Sequence, residues 1–158
     1  NRSDAPDDLI PQFEYIRKSV EAFNIPAVEM INYEADDLIA TYSKQITKLG
    51  SDVTIVSSDK DLMQLHDKKV RIYDPMKNKF IKKEDVIAKF GVTSDKVIDV
   101  QSLAGDSSDN VPGVPGIGVK TAAELINKFG SLEELLKNAE TIKQNKRRET
   151  IIENKAKA

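Results

Sequence analysis

Carboxylates are the side chains whose type and spacing could do chemistry in this sequence. They stand in three short groups, far apart along the chain. If the groups meet in one cleft, their mutual repulsion requires that some stay protonated or that cations bind among them. All-carboxylate sites suit hard divalent ions such as Mg²⁺ or Mn²⁺. The members are Glu34, Asp36 and Asp37; Asp59 and Asp61; and Asp106 and Asp109.

The rest of the composition narrows the chemistry. There is no cysteine, and His66 is the single histidine, so thiol catalysis, disulfides and zinc sites of cysteine or several histidines are excluded. The serines lack the context of a nucleophile elbow. Two divalent ions about 4 Å apart can activate water and stabilise the leaving oxygen of an in-line phosphoryl displacement. The sequence therefore predicts a two-metal phosphoryl-transfer site.

Each acidic group also has a purely structural interpretation. Acids in a first helical turn are ordinary partners of the helix dipole, which would explain the first group. Asp59 and Asp61 could form a solvated turn after a strand, and Asp106 and Asp109 could be turn formers. Only the joint occurrence of the three groups favours the metal-binding hypothesis.

The elements that must position these groups follow from the apolar pattern. A helix-start signal at 6–8 and helical spacing predict a first helix that runs to about residue 24. A second helix is expected over 34–49, with a short strand at 27–31 between the two. A β-branched run at 53–57 predicts a strand buried on both faces, and strand, short helix and second strand are the order of a parallel α/β unit. Asp59 and Asp61 follow that first strand, where ligands bind in such sheets. The short helix is expected at 62–65 and the second strand at 70–73.

The second half of the sequence predicts helices only. They are expected over 83–90, from Thr93 or Ser94 to Ala104, and over 119–129, 131–137 and 145–155.

A glycine-rich turn at 113–118 joins two of these helices. It is neither a dinucleotide fingerprint nor a P-loop, because no strand leads into it and the lysine spacing differs. A tight hairpin with Ile117 inside would expose backbone amides, and Lys120 and the following helix start add positive charge that suits a phosphate. A plain turn between helices is the alternative.

The net charge and the first residue of the sequence give weaker indications of the partner and of the extent of the protein. The formal net charge is −2, which alone argues against a nucleic-acid partner, yet two divalent ions would bring it to about +2. Over residues 137–158, basic residues outnumber acidic ones by seven to three, so this tail could be a second backbone contact or a solvated helix. The sequence opens with Asn1 rather than methionine, and we expect a segment of a longer protein.

Four motifs, at 34–37, 58–61, 105–113 and 116–122, occur in an order that closely resembles the 5′ nuclease (flap endonuclease) family. The resemblance is to the 5′–3′ exonuclease domain of bacterial DNA polymerase I, and it covers nearly the whole chain. It implies an α/β fold with a partial PIN-like parallel sheet core at 1–80, followed by an all-helical helix–hairpin–helix extension at 81–158. It also implies hydrolysis of phosphodiesters at 5′ ends and flaps in DNA replication and repair.

The resemblance assigns roles to residues. The metal ligands would be Glu34, Asp36, Asp37, Asp59, Asp61, Asp106 and Asp109, all but Glu34 also counted as catalytic, with Mg²⁺ or Mn²⁺ bound. Gly116, Gly118, Lys120 and Thr121 would hold duplex DNA, with K⁺ at the hairpin, and Arg2 would end a basic arch that handles the 5′ strand.

The resemblance has one departure and several implications for partners. Family members begin with a strand that carries a metal-binding aspartate, and a further aspartate precedes the arch; neither segment stands in this sequence. We therefore expect a fragment with little or no activity of its own. DNA is the expected partner, with a polymerase domain in the same parent chain, a monomer, no membrane, and a place at the nucleoid in a bacterial cytoplasm. The alternative is a duplex-DNA-binding module without catalysis.

Overall fold

The computed structural model describes residues 6–155 and divides the chain into two compact units. The first unit is Asn1–Tyr42 and the second is Ser43–Ala158. Among the described residues, no helix has both the length and the apolar character that a bilayer crossing demands. The predicted domain boundary at residue 80 is a different kind of division from these two compact units, and it stays a prediction.

The first unit contains helix α1, Gln12–Ala22, and the start of helix α2, Ala35–Lys48. The apolar residues of α1 recur at helical spacing as predicted, but none is buried among the described residues. Phe13 and Ile16 are about half exposed. The helical period therefore predicted a helix correctly here, although the described residues bury none of its apolar side chains.

The expected strand at 27–31 is wrong. This stretch has no regular secondary structure, and Ile31 is 87% exposed. A strand needs a neighbour with which to exchange backbone hydrogen bonds, and nothing in residues 6–155 pairs with these residues. Short apolar runs cannot reveal the absence of that partner.

The second unit begins with a three-stranded sheet in the order β1-β2-β3. Strand β1 is Val53–Val56, β2 is Val70–Asp74 and β3 is Lys79–Ile81. Strands β1 and β2 are parallel, with Val53 opposite Val70, and a 3₁₀ helix, Asp61–Leu65, lies between them in sequence. Strand β3 returns antiparallel to β2 in a hairpin that the sequence analysis did not predict.

Burial of β1 differs from the prediction. Ile55 is 6% exposed, but its neighbour Val56 is 64% exposed, so the described residues cover one face of the strand. The β-branched run predicted the right element and the wrong burial, because β-propensity measures fit to a pleated surface rather than what packs on it.

The rest of the second unit is helical, as predicted. Helix α3 ends at Gly91, whose φ is +73° and whose backbone lies so close to Ala123 that a side-chain carbon added at Gly91 would stand 2.6 Å from the Ala123 Cβ. The helix expected from Thr93 or Ser94 starts as a 3₁₀ turn, Ser94–Lys96, and becomes α-helical at Val97. The helices are α3 Lys83–Phe90, α4 Val97–Ala104, α5 Val119–Phe129, α6 Leu132–Lys137 and α7 Asn145–Glu153.

One hydrophobic core unites the sheet and these helices. Helices α4 and α5 pack closely against each other, and Val100 of α4 and Ile126 of α5 are fully buried. Ile72 of β2 and Leu62 of the 3₁₀ helix are buried as well. The loops that carry the second and third acidic groups therefore leave from elements held by a shared core.

Candidate metal centre

The loop after β1 carries the second acidic group and is shaped by its own hydrogen bonds. The Ser57 amide donates to the Tyr73 carbonyl at 3.0 Å, which extends the parallel pairing one residue beyond β1. The Asp59 amide donates to the Ser57 hydroxyl, and the Asp61 amide donates to the Asp59 carboxylate at 2.9 Å. Leu62 is buried immediately afterwards. These contacts fix the position of Asp61, at which the 3₁₀ helix begins.

The loop that carries the third acidic group is closed by its backbone. Asp106 and Val111 form an antiparallel bridge in which each amide donates to the other carbonyl at 2.9 Å. Gly105 and Gly113, both at positive φ, flank the bridge and touch backbone to backbone. A side-chain carbon on Gly105 would stand 2.8 Å from the Val111 carbonyl oxygen. The glycines of this motif are needed because two backbones cross without room for a side chain.

The two loops bring three carboxylates together. Asp61, Asp106 and Asp109 each place an oxygen within 4.8 Å of the others. Asp61 and Asp106 are half-buried, and Asp109 is exposed. Hard divalent cations prefer such carboxylate oxygens, so this donor set suits an ion of that class.

Charge repulsion in the cluster is offset by a lysine. The Lys60 ammonium donates to an Asp106 oxygen and lies 3.4 Å from the Ser108 hydroxyl. This hydrogen bond holds the pKa of Asp106 far below its usual range, helped by the Ser108 hydroxyl and amide. The same bond raises the pKa of Lys60 against the opposing effect of burial. The pair therefore stays ionised at neutral pH.

Asp61 is in a different electrostatic situation. Burial raises its pKa, and a hydrogen bond from the Gln101 side chain of α4, at 2.5 Å, opposes that rise. Charged neighbours act in both directions, because Lys60 lowers the pKa of Asp61 while Asp59 and Asp106 raise it. Burial therefore disfavours the anionic form of Asp61, which a bound cation would favour.

Sequence reasoning missed Lys60 and Gln101. Lys60 stands between two predicted acids, and its position in the motif was the available signal. Gln101 lies 40 residues from Asp61 in sequence and on a helix predicted only for its packing, so nothing in the sequence pointed to it.

Asp59 lies on the same loop but outside the group of three. Its carboxylate accepts the Asp61 amide, and its side chain is exposed. This contact agrees with the alternative that Asp59 belongs to a solvated turn after the strand, and metal binding by Asp59 stays a prediction.

The first acidic group belongs to the first compact unit and is described there. The Glu34 amide donates to the Asp37 carboxylate at 3.1 Å, which places Asp37 as a partner of the start of α2. Glu34 is exposed, and Asp36 is half-buried in the first turn of the helix. Metal binding by these residues stays a prediction.

The glycine-rich turn is a tight reversal before α5. The Ile117 amide donates to the Val114 carbonyl at 3.0 Å, and both side chains are buried. Gly116 has a φ of +75° after Pro115, the pattern of a type II turn. Gly118 immediately precedes α5.

Two further predicted DNA contacts lie directly after this turn, in the first turn of α5. Lys120 is exposed in the first turn of α5, and Thr121 beside it is half-buried. Arg2, predicted to end the arch, lies outside the described residues.

Two known domain families together match the chain along its length. Residues 1–91 match the 5′-3′ exonuclease, N-terminal resolvase-like domain, and residues 92–158 match the 5′-3′ exonuclease, C-terminal SAM fold. These two matches confirm the predicted α/β core followed by a helical extension.

Individual relatives agree with the family. The chain is 58% identical over 154 residues to a DNA polymerase I of Rhizobium leguminosarum, covering 98% of this chain and 15% of the relative. It is 44% identical over 139 residues to a 5′-3′ exonuclease of Aquifex aeolicus, covering 88% of this chain and 48% of the relative. The chain thus spans less than half the length of either relative.

A solved structure of T5 5′-exonuclease with bound divalent metal ions, zinc, shares the fold. Its TM-score is 0.86 at 25% identity, over 99% of this chain and 59% of that one. Because both family matches and these relatives agree, the chain belongs to the 5′-3′ exonuclease family.

Proposed function

We propose that the protein containing this chain hydrolyses DNA phosphodiesters at 5′ ends and flaps, with divalent metal ions held by its carboxylates. The observation that carries the proposal is the meeting of Asp61, Asp106 and Asp109, from two distant loops, within 4.8 Å. A bound Mg²⁺ or Mn²⁺ would supply a Lewis acid and lower the pKa of water at the scissile phosphate.

The chain's own residues have distinct parts in this proposal. Asp61, Asp106 and Asp109 are the proposed ligands, and Asp59 accepts the amide of Asp61 and so helps to hold it in place. Lys60 neutralises Asp106. Four further ligand roles rest on the family resemblance alone, those of Glu34, Asp36, Asp37 and Asp59.

The glycine-rich turn is the proposed contact with duplex DNA. The first amides of an α-helix have no partner within the helix and favour phosphate, and Lys120 adds an exposed charge beside them. Thr121 is the proposed hydroxyl donor at the same helix start. K⁺ at this turn, a polymerase domain in the parent chain, a monomeric state and a place at the bacterial nucleoid stay predictions.

Asp61→Asn in the full-length protein tests the proposal. We expect Mg²⁺-dependent cleavage of a flapped duplex to be lost, Mn²⁺ binding to weaken and duplex binding to persist. Asp52→Asn, which changes an exposed acid before β1, is the matched control and should cleave normally.

Equal loss of cleavage and duplex binding in Asp61→Asn would contradict the metal role and leave Asp61 a structural residue. Normal cleavage in Asp61→Asn would contradict a ligand role for Asp61. Duplex binding without Mg²⁺-dependent cleavage in the wild-type full-length protein would favour the alternative, a DNA-binding module whose acids only cap and turn. Hydrogen bonds from the Glu34 amide to Asp37 and from the Asp61 amide to Asp59 are the observations that support this alternative.

A further inference from the structure

Asp74, the last residue of β2, is a buried carboxylate outside the cluster of three. It is 1% exposed and accepts four hydrogen bonds. Three come from the turn that follows: the Met76 amide at 3.0 Å, the Lys77 amide at 3.2 Å and the Lys77 ammonium at 2.8 Å. These three bonds account for a structural role in the β2–β3 hairpin.

The fourth hydrogen bond reaches a different part of the molecule. The Ser58 hydroxyl donates to the Asp74 carboxylate at 2.8 Å, across 16 residues of sequence. Ser58 lies in the loop after β1, directly before Asp59. The turn after β2 does not need this bond, because its own amides and Lys77 are satisfied without it.

Further hydrogen bonds within the loop link the neighbours of Ser58 to Asp61 of the carboxylate cluster. Ser57 accepts the Asp59 amide, and Asp59 accepts the Asp61 amide, so the loop is a chain of short-range bonds that ends at Asp61. Backbone pairing fixes the start of this loop at Ser57, and buried Leu62 fixes its end. Ser58 lies between them, and its side chain is held from outside the loop.

We propose that Asp74 is a positioning residue for the metal centre, which acts through the Ser58 hydroxyl to hold the 57–61 loop so that Asp61 meets Asp106 and Asp109. This inference rests on the proposed function, because the cluster must bind metal for its placement to matter. Groups that orient metal ligands without touching the ion commonly set its affinity.

The negative charge of Asp74 suits this positioning role. Its pKa is lowered to about 2, first by the Lys77 side chain and next by Ser58, so it is an anion at neutral pH. A hydrogen bond from a hydroxyl to an anion is shorter and stronger than one to a neutral acceptor. A carboxylate therefore holds Ser58 more firmly than an amide in the same place.

The experiment measures Mn²⁺ affinity of the full-length protein by electron paramagnetic resonance. Ser58→Ala removes the proposed bond and leaves the hairpin bonds of Asp74 in place, so we expect Mn²⁺ to bind roughly 10-fold more weakly. Ser58→Thr restores the hydroxyl and should restore the affinity. Asp74→Asn should weaken binding too, and the double variant should bind no more weakly than the weaker-binding single variant.

Lys77→Met is the matched control. It removes a partner of Asp74 on the hairpin side and leaves Ser58 unchanged, so the Mn²⁺ affinity should stay at the wild-type value even if the protein unfolds more easily. Equal weakening in Lys77→Met and Ser58→Ala would show a general loss of stability and overturn the inference.

The remaining outcomes separate this inference from the proposed function. Wild-type affinity in Ser58→Ala, with Asp61→Asn still impaired, would overturn the positioning role alone. Failure of the wild-type protein to bind Mn²⁺ would overturn the proposed metal site and the positioning role with it.

Discussion

Lys60 places an ammonium inside the carboxylate cluster, where a divalent ion is proposed to bind. Its contact with Asp106 is made by side chains that are both partly shielded, with 33% of Lys60 and 11% of Asp106 exposed. An internal cation relieves repulsion among the acids, but it also occupies an oxygen that a metal ion would use. The lysine and the ion therefore compete for Asp106.

Lys60→Gln should tighten Mn²⁺ binding, because the amide removes the competing charge while it keeps most of the side-chain length. A partly exposed ion pair contributes about 1 kcal/mol, which corresponds to an increase in affinity on the order of 5-fold. Isothermal titration calorimetry with Mn²⁺ measures the change. Lys83→Gln on α3 is the control. Unchanged binding in Lys60→Gln would show that the lysine does not compete with the ion, and weaker binding would show that it organises the cluster instead.

Individual residues also mark the limit of sequence reasoning about the site. The sequence identified Asp61, Asp106 and Asp109 as candidates because acids recur in motifs. It did not identify Gln101 or Asp74, since a hydrogen bond across 40 or 16 residues is decided by tertiary structure. Ligands have recognisable residue types and spacing; the residues that hold the ligands do not.

The crossing of Gly105 and Gly113 ties the end of α4 to the chain that leads into the glycine-rich turn. A side-chain carbon at Gly113 would stand 2.6 Å from the Ala104 carbonyl carbon and 2.7 Å from the Gly105 Cα. These neighbours are backbone atoms and cannot rotate away.

Gly113→Ala should lower the free energy of unfolding by roughly 2–4 kcal/mol, because the two backbones must separate. Gly130→Ala is the control, since Gly130 also has a positive φ but its side-chain carbon would meet open space. That variant should lose only about 1 kcal/mol from backbone strain. Urea unfolding measures both, and equal losses would show that backbone conformation matters and the crossing does not.

The hairpin of β2 and β3 should be acid-sensitive through Asp74. Its pKa falls from an ordinary 3.8 to about 2 on folding, so its contribution to stability is complete above the ordinary value and disappears as the pH falls through about 2. We expect the difference in unfolding free energy between wild type and Asp74→Asn to be constant from about pH 7 to 5 and to shrink between about pH 4 and 2. A difference that stays constant down to about pH 2 would contradict the lowered pKa.

Prediction of elements succeeded where the pattern was long and local. Helices α3 and α5 match their predicted bounds, because each has helical apolar spacing and a glycine directly after it. The expected strand at 27–31 failed and β3 was missed, because a strand exists only if another strand accepts its hydrogen bonds. Pairing partners are a property of the folded chain and cannot be read from a short window of sequence.

This chain carries a small negative charge, while the proposed substrate is a polyanion. The formal charge of −2 gives weak long-range repulsion of DNA, so binding by this chain must depend on local groups such as Lys120 and the start of α5. Divalent ions at the carboxylates would further reduce the repulsion.

Lys120→Gln should weaken duplex binding and lower the slope of log affinity against log salt by about 1, as expected for one phosphate contact. Fluorescence anisotropy in the full-length protein, with KCl varied at fixed Mg²⁺, measures the slope. Lys83→Gln is again the control. An unchanged slope would place the phosphate contact elsewhere in the chain.

The bridge between Asp106 and Val111 has a consequence for the thermodynamics of ion uptake. Because backbone contacts already close this loop, its conformational entropy is lost during folding and not when a cation arrives. Removal of the metal ion with a chelator should then leave hydrogen exchange of the backbone amides in this loop slow. The backbone of this loop would then have the same conformation before an ion binds and after it leaves.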